Sequence, residues 1–219
     1  MLDFLHKNKP LFWRNYLKLF KQKPVQTIAE THFIIFDTET TGLDIKTDCI
    51  LSIGAVSLEN NIIDIAEGFE IYLQQDKFNH ESVKIHGILK EGRQKKLMEK
   101  EAIEAFIKYI GNAVLIAHHA AFDISMINIA LKRMKLGTLK NKVIDTGILY
   151  KKLAGKKTNH FNLDVLCKEF NIHTNDRHTA AGDAFITAQL FLKILSKLKQ
   201  ERQIHYSDLF RNSEKHGLI

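Results

Sequence analysis

The chain has 219 residues and a mass of 25.2 kDa, with 45% hydrophobic and 26% charged residues, which fits one globular domain with short appendages. Its 32 Lys and Arg outnumber 25 Asp and Glu, and the net charge of +7 favours a polyanionic partner such as nucleic acid. Two cysteines are too few for a disulfide framework, no apolar run is long enough to span a membrane, and the N-terminus does not resemble a secretory signal. We therefore expect a protein of the reducing cytoplasm.

Residues 1–30 differ in character from the rest of the chain. Lysines and arginine alternate there with apolar residues, and Pro10 and Pro24 would bound a helix. The apolar positions fall on one helical stripe: Phe12, Trp13, Tyr16, Leu17 and Phe20. The simpler interpretation is a helix packed on the domain. The alternative is a basic amphipathic helix that binds nucleic acid, a partner protein or a membrane surface.

Three strands are predicted next. The four consecutive apolar residues 33–36 are typical of a strand buried on both faces, and they lead directly into Asp37 and Glu39. Segments 49–58 and 62–73 predict two further strands, joined by a hairpin turn at Asn60 and Asn61.

Helices and strands alternate in the second half. The pattern predicts a helix over 102–110 that ends at Gly111, a strand over 113–117, a helix over 123–134 and a strand over 143–146. Asn162 is expected to cap a helix that continues to residue 170, and a long helix follows over 180–198. A meander followed by this alternation predicts an α/β fold, with a five-stranded mixed sheet flanked by helices.

The end of the first strand carries two acidic residues. Residues i and i+2 of a strand point to the same side, so the carboxylates of Asp37 and Glu39 should lie together. Two such charges repel each other unless a pKa rises or a cation binds, and oxygen ligands suit Mg²⁺ or Mn²⁺. The alternative is that Asp37 begins a turn and Glu39 is solvated.

Two further acids lie at helix starts. Asp123 and Asp183 each have a simple explanation, because a carboxylate at a helix N-terminus gains about 0.3–1 kcal/mol. His178, on the loop before the last helix, is by itself typical of a solvated histidine. Together with Asp37 and Glu39, however, they form a set that two divalent cations roughly 3.5–4 Å apart would neutralise. Such a site suits phosphodiester hydrolysis, with a neutral His178 accepting the proton of a water.

Three segments carry a family resemblance. DTETTGL at 37–43, AHHAAFD at 117–123 and HTAAGDAFITAQLF at 178–191 resemble the three motifs of the DEDDh (DnaQ-like) 3′→5′ exonucleases, including the proofreading epsilon subunit of bacterial DNA polymerase III. The resemblance covers about residues 31–198. It implies a ribonuclease H-like fold for an exonuclease domain at 31–200. The character of the flanking residues predicts a basic amphipathic N-terminal extension at 1–30 and a C-terminal tail at 201–219.

The resemblance also implies a role for each matching residue. Asp37, Glu39 and Asp183 would hold one metal ion, Asp37 would bridge to a second that Asp123 reaches, and His178 would be the general base. The substrate-binding residues would be Thr38, Thr40, Leu43, His86 and His118. His119 departs from the family, which usually has asparagine there, and this puts one polar substrate contact in doubt.

The expected function is a Mg²⁺- or Mn²⁺-dependent 3′→5′ exonuclease that releases nucleoside 5′-monophosphates from single-stranded or frayed DNA, in proofreading or repair. A DNA polymerase or another replication protein is the expected partner. Two alternatives remain open: trimming of RNA 3′ ends, and a module that docks on a polymerase with little catalysis of its own.

Overall fold

The computed structural model describes residues 8–21, 27–92, 94–154 and 161–210. Its centre is a mixed sheet of six strands in the order β4-β3-β2-β1-β5-β6. The strands are β1 (Phe33–Thr40), β2 (Ile50–Glu59), β3 (Ile62–Leu73), β4 (Lys96–Leu97), β5 (Val114–Ala117) and β6 (Val143–Asp145). The predicted mixed sheet is confirmed, with one strand more than the five expected. The extra strand, β4, has two residues, too few for any periodicity to reveal it.

The first three strands form an antiparallel meander, while β5 and β6 run parallel to β1. The predicted turn at Asn60 and Asn61 is confirmed, since both have positive φ, 51° and 61°, as a tight hairpin turn requires. The parallel arrangement of β1 and β5 brings their carboxyl ends to the same edge of the sheet, where open α/β sheets bind their ligands.

Seven helices and one short 3-10 helix are described. They are α1 (Leu11–Leu19), α2 (His80–His86), α3 (Glu99–Ile110), α4 (Ala121–Arg133), α5 (Thr146–Ala154), α6 (Leu163–Glu169), α7 (Ala180–Glu201) and the 3-10 helix Tyr206–Leu209. The sequence pattern did not predict α2 or α5. The 143–146 strand prediction ran one residue into α5, whose first turn contains Gly147, a poor helix former. Within the described segments, no helix combines the length and apolar character needed to cross a bilayer.

The sheet separates two hydrophobic cores. Phe33 and Ile35 of β1 face the helices α5, α6 and α7, whereas Ile34 and Phe36 face α1, α3 and α4. All four side chains are at most 3% exposed, which confirms a strand buried on both faces. The side on which a residue of β1 lies therefore decides which helices its side chain meets.

The N-terminal helix α1 belongs to the second core. Its Phe12, Trp13 and Tyr16 are buried, and the Tyr16 hydroxyl donates to Asn141 Oδ1 at 2.6 Å. The interpretation that this helix packs on the domain is confirmed, so its apolar stripe is not a free docking surface. The chain division at residue 30 stays a prediction.

Candidate active site

Three carboxylates meet beside the end of β1. Asp37 and Glu39 continue the register of Phe33 and Ile35, so they lie on the face covered by α7, and Asp183 occupies the first turn of that helix. One carboxylate oxygen from each of Asp37, Glu39 and Asp183 lies within 4.8 Å of the others. We call these residues the three-acid cluster.

A glycine in β2 brings α7 close enough to form this cluster. Gly54 pairs with Asp37 across the sheet, and a Cβ on Gly54 would lie 2.1 Å from the Ala181 backbone nitrogen. The α7 N-terminus therefore sits directly on the β2 backbone, where no side chain would fit. Gly54 was not among the predicted site residues. The signal was available, because an isolated glycine inside a strand indicates a close approach of another backbone.

Asp123, the fourth acid, lies on α4, which packs on the opposite face of the sheet. Thr38 points toward α4, where its hydroxyl donates to Asp123 Oδ1 at 2.6 Å and its backbone N–H donates to the same oxygen at 3.0 Å. Asp123 is 4% exposed and is not part of the three-acid cluster. The main contact of the Thr38 side chain is thus with a neighbouring acid, and its predicted role in substrate binding stays untested.

Burial and the neighbouring charges raise the pKa of Asp37, Glu39 and Asp123. Burial raises the pKa of Glu39 to about 7, with Asp183 and Asp123 adding to the effect. Burial also raises the pKa of Asp123 to about 7, and the pKa of Asp37 lies well above its ordinary value through burial and then the charge of Asp123. Only a nearby cation would make full ionisation favourable at neutral pH.

A divalent cation fits this arrangement. Asp183 Oδ2 accepts from Arg177, while Asp183 Oδ1 is buried without a hydrogen-bond partner among the described residues. An unpartnered buried carboxylate oxygen costs free energy, and a cation would satisfy it. The donor set contains only carboxylate oxygens, which Mg²⁺ and Mn²⁺ prefer.

The predicted base lies at the entrance to α7. His178 is exposed, immediately before Thr179, whose side chain accepts from the Gly182 backbone N–H and caps the helix. His178 has φ of 63°, a left-handed conformation that is uncommon for a residue with a side chain. The backbone of His178 and that of Asp183 thus lie at the same end of α7, on either side of the cap.

Three of the predicted substrate residues surround the turn after β1. Leu43 is 85% exposed, which leaves its side chain free for contact with another molecule. The Thr40 hydroxyl donates to Gly42 O at 2.7 Å and closes the turn. His86, at the end of α2, is buried next to the backbone of Thr40, and this burial lowers its pKa.

His118 is bonded to other residues of the protein through both ring nitrogens. Its Nδ1 lies 2.8 Å from Thr146 Oγ1 and its Nε2 lies 2.6 Å from Phe161 O, so both ring nitrogens are bonded within the protein. Burial and the neighbouring His119 lower the pKa of His118 to about 4. A neutral ring that donates from Nε2 satisfies both contacts, and its predicted polar contact with substrate stays untested.

Comparison with known proteins gives three results. The profile of the RNase_T family, described as exonuclease, matches residues 34–191. The chain is 32% identical over 191 residues to the PolC-type DNA polymerase III of Halalkalibacterium halodurans, covering 87% of this chain and 13% of that protein. It is 33% identical over 183 residues to the PolC-type DNA polymerase III of Bacillus subtilis, covering 83% of this chain and 12% of that protein. The chain therefore spans about an eighth of the length of these relatives.

Solved structures show the same fold at low sequence identity. E. coli exonuclease I in complex with a dT13 oligonucleotide has a TM-score of 0.67 and 18% identity, covering 78% of this chain and 42% of that chain. The nuclease domain of 3′hExo, a DEDDh family member bound to rAMP, has a TM-score of 0.68 and 13% identity, covering 78% of this chain and 94% of that chain. These matches confirm the predicted ribonuclease H-like arrangement of sheet and helices.

Proposed function

We propose that this chain, which belongs to the exonuclease family whose profile it matches over residues 34–191, is a divalent-metal-dependent enzyme that removes nucleotides from the 3′ end of DNA. Its membership among the DnaQ-like exonucleases was predicted from three motifs and is confirmed. What we propose beyond family membership is the direction of hydrolysis, the polymer and the metal mechanism.

The three-acid cluster is the observation that carries the proposal. Three carboxylates with oxygens within 4.8 Å of one another, two of them with clearly raised pKa values, form a site that is unfavourable without bound cations. If the three acids served only as partners in structural ion pairs, each of them would be expected to contact a basic side chain. Arg177 contacts only Asp183 among them.

Two cations are the occupants that match this geometry. Asp37, Glu39 and Asp183 would hold one, and Asp123 with Asp37 would hold the other, since the Asp123 charge is the largest ionic contribution to the raised pKa of Asp37. When bound, such a pair lowers the pKa of a water and stabilises the leaving oxygen of a phosphodiester.

The other residues have separate tasks. His178 accepts the proton of the attacking water, and its position beside the α7 cap keeps it in fixed relation to Asp183. Leu43 packs against the terminal base, and Thr40 with His86 shapes the adjoining wall of the site. Substrate contacts by Thr38 and His118 remain part of the proposal, limited by the internal bonds that both side chains make.

DNA is the proposed polymer because the two relatives at 32% and 33% identity are DNA polymerases. The net charge of +7 suits either nucleic acid. A replicative DNA polymerase is the proposed partner, on the same similarity. RNA is the competing substrate, and only the 2′-hydroxyl distinguishes the two at a given position.

The test uses a 5′-labelled single strand with Mn²⁺. A 3′→5′ exonuclease gives a ladder that shortens from the 3′ end and releases nucleoside 5′-monophosphates, whereas the opposite direction would release the label at once. Asp37→Ala should abolish the ladder, and Glu59→Ala, which removes an exposed carboxylate at the end of β2, should not. Equal degradation by wild type and Asp37→Ala would refute the assigned site, and faster hydrolysis of a matched RNA strand would transfer the proposal to RNA.

A further inference from the structure

We propose that Arg177 is a positioning residue, which ties the turn that carries His178 and the carboxylate of Asp183 to helix α6. This inference rests on the proposed function, because it concerns the same site. Arg177 was not predicted from the sequence, since a single arginine in a polar loop has no characteristic pattern.

The contacts of Arg177 reach two helices. Its guanidinium donates twice to Asp164 of α6, from Nε to Oδ1 at 2.6 Å and from Nη2 to Oδ2 at 3.1 Å. The third arm, Nη1, donates to Asp183 Oδ2 on α7. The Arg177 side chain is 16% exposed and Asp183 is 9% exposed, so that bond is shielded from water, whereas the Asp164 side chain is 53% exposed. A two-pronged contact fixes the plane of the guanidinium, and that plane sets where Nη1 points.

The turn around Arg177 is closely packed against α7. Asp176 O accepts from the Thr179 hydroxyl at 2.8 Å, and a Cβ on Gly182 would lie 2.1 Å from this same oxygen. Asp176 and His178 both have φ of 63°. A turn with two left-handed residues is costly to form, so other contacts must stabilise it. The link from Arg177 to Asp164 is the contact that leaves this turn and reaches a different helix.

This link acts on the active site in two places. At Asp183, Arg177 occupies Oδ2 and so leaves Oδ1 as the oxygen available to a cation. At His178, it fixes the preceding residue, so the imidazole starts from a defined backbone position. The charge of Arg177 also counteracts the acids, because it lowers the pKa of Glu39 against the effect of burial.

The chain offers a matched control pair. Arg133 donates to Glu99 through Nε at 2.9 Å and also through Nη2, the same two-pronged geometry, between α4 and α3. This pair has no contact with the three-acid cluster. An effect that arises from losing any buried or half-buried ion pair should therefore appear there too.

The experiment compares Arg177→Lys with Arg133→Lys, and Asp164→Asn with Glu99→Gln. Lysine keeps the charge near the acids and loses the planar fork, so changes at position 177 report on positioning. The measurements are Mn²⁺ affinity by calorimetry on metal-free protein without nucleic acid, kcat and KM on a DNA oligonucleotide at saturating Mn²⁺, and thermal unfolding.

Arg177→Lys and Asp164→Asn should each lower kcat and Mn²⁺ affinity by about 10–100-fold, with KM within twofold of wild type. Both control variants should stay within twofold of wild type in every value. Equal behaviour of the test and control variants, in binding and in turnover, would overturn the inference. If wild-type protein hydrolyses no oligonucleotide, the proposed function fails, and the Mn²⁺ affinities still decide the role of Arg177.

Discussion

Gly54→Ala should separate the position of the active site from the stability of the fold. The added Cβ would lie 2.1 Å from the Ala181 nitrogen and 2.2 Å from the Ala180 carbonyl carbon, both backbone atoms. Contacts of a real Cβ are essentially never shorter than 3.0 Å, so the start of α7 must retreat by about 0.9 Å. That movement displaces Asp183 from Asp37 and Glu39.

The expected magnitude follows from this displacement. A shift of about 1 Å in a catalytic group can cost about 10²-fold in rate, equivalent to about 2.7 kcal/mol of transition-state stabilisation. The overpacking itself should cost about 1–3 kcal/mol of folding free energy, so the protein should remain folded at 25 °C. We therefore expect kcat to fall about 100-fold while circular dichroism shows native secondary structure.

The assay is hydrolysis of a 5′-labelled oligonucleotide at saturating Mn²⁺, together with thermal unfolding. Gly137→Ala is the control, because a Cβ there would meet only the Trp13 ring at 3.4 Å, an ordinary contact, and the position lies in the loop after α4, outside the helices and strands that carry the acids. If folded Gly54→Ala protein retained turnover within twofold of the control, the close approach of α7 to β2 would not be what positions the acids.

Four further predictions concern the acids and the base. His178→Ala should lower kcat about 10²–10⁴-fold and remove the rising limb of the pH–rate profile, because the enzyme loses its base. Mn²⁺ affinity by calorimetry should stay within a few fold of wild type. An unchanged profile would exclude His178 as the base. Thr38→Val removes one of the two hydrogen bonds that Thr38 donates to Asp123, so the pKa of Asp123 in metal-free protein should rise further. Mn²⁺ affinity by calorimetry should fall about tenfold at pH 7 and recover at higher pH; a loss independent of pH would contradict this reasoning. Metal-free protein should lose stability as the pH rises from about 4 to 7, because the unfolded chain releases the protons of Glu39 and Asp123 first while the folded state still retains them. A fixed Mn²⁺ concentration, about 100 times the Kd at pH 8, should raise Tm by about 5–10 °C at pH 8 and by less at pH 5. Equal gains at both pH values, or a gain preserved in Asp37→Asn, would count against the three-acid cluster as the metal site.

Most of the helices and strands could be predicted from local sequence patterns. Hydrophobic periodicity and terminators gave β1, β2, β3, β5 and β6 and the helices α1, α3, α4, α6 and α7 to within about three residues. The Asn162 cap is present, with its side chain accepting from Asp164 N at 2.8 Å. The elements that were not predicted are α2, α5 and β4. β4 has two residues, too few to show a pattern, and Gly147 weakens the helical pattern at the start of α5. α2 did carry a local signal, because Asn79 accepts from Glu81 N at its start and Gly87 ends it in a left-handed conformation.

The sequence by itself determined which residues are chemically able to form the site, and that Asp37 and Glu39 share one side of β1, because side-chain direction along a strand is fixed by backbone geometry. Tertiary structure alone decided the distances between residues far apart in the chain. It placed Asp183 beside them through the contact at Gly54, brought Asp123 from the other face through Thr38, and turned both nitrogens of His118 inward. The physical reason is that periodicity is a property of a few neighbouring residues. The approach of α7 to β2 depends on the packing of two complete cores, which no local pattern encodes.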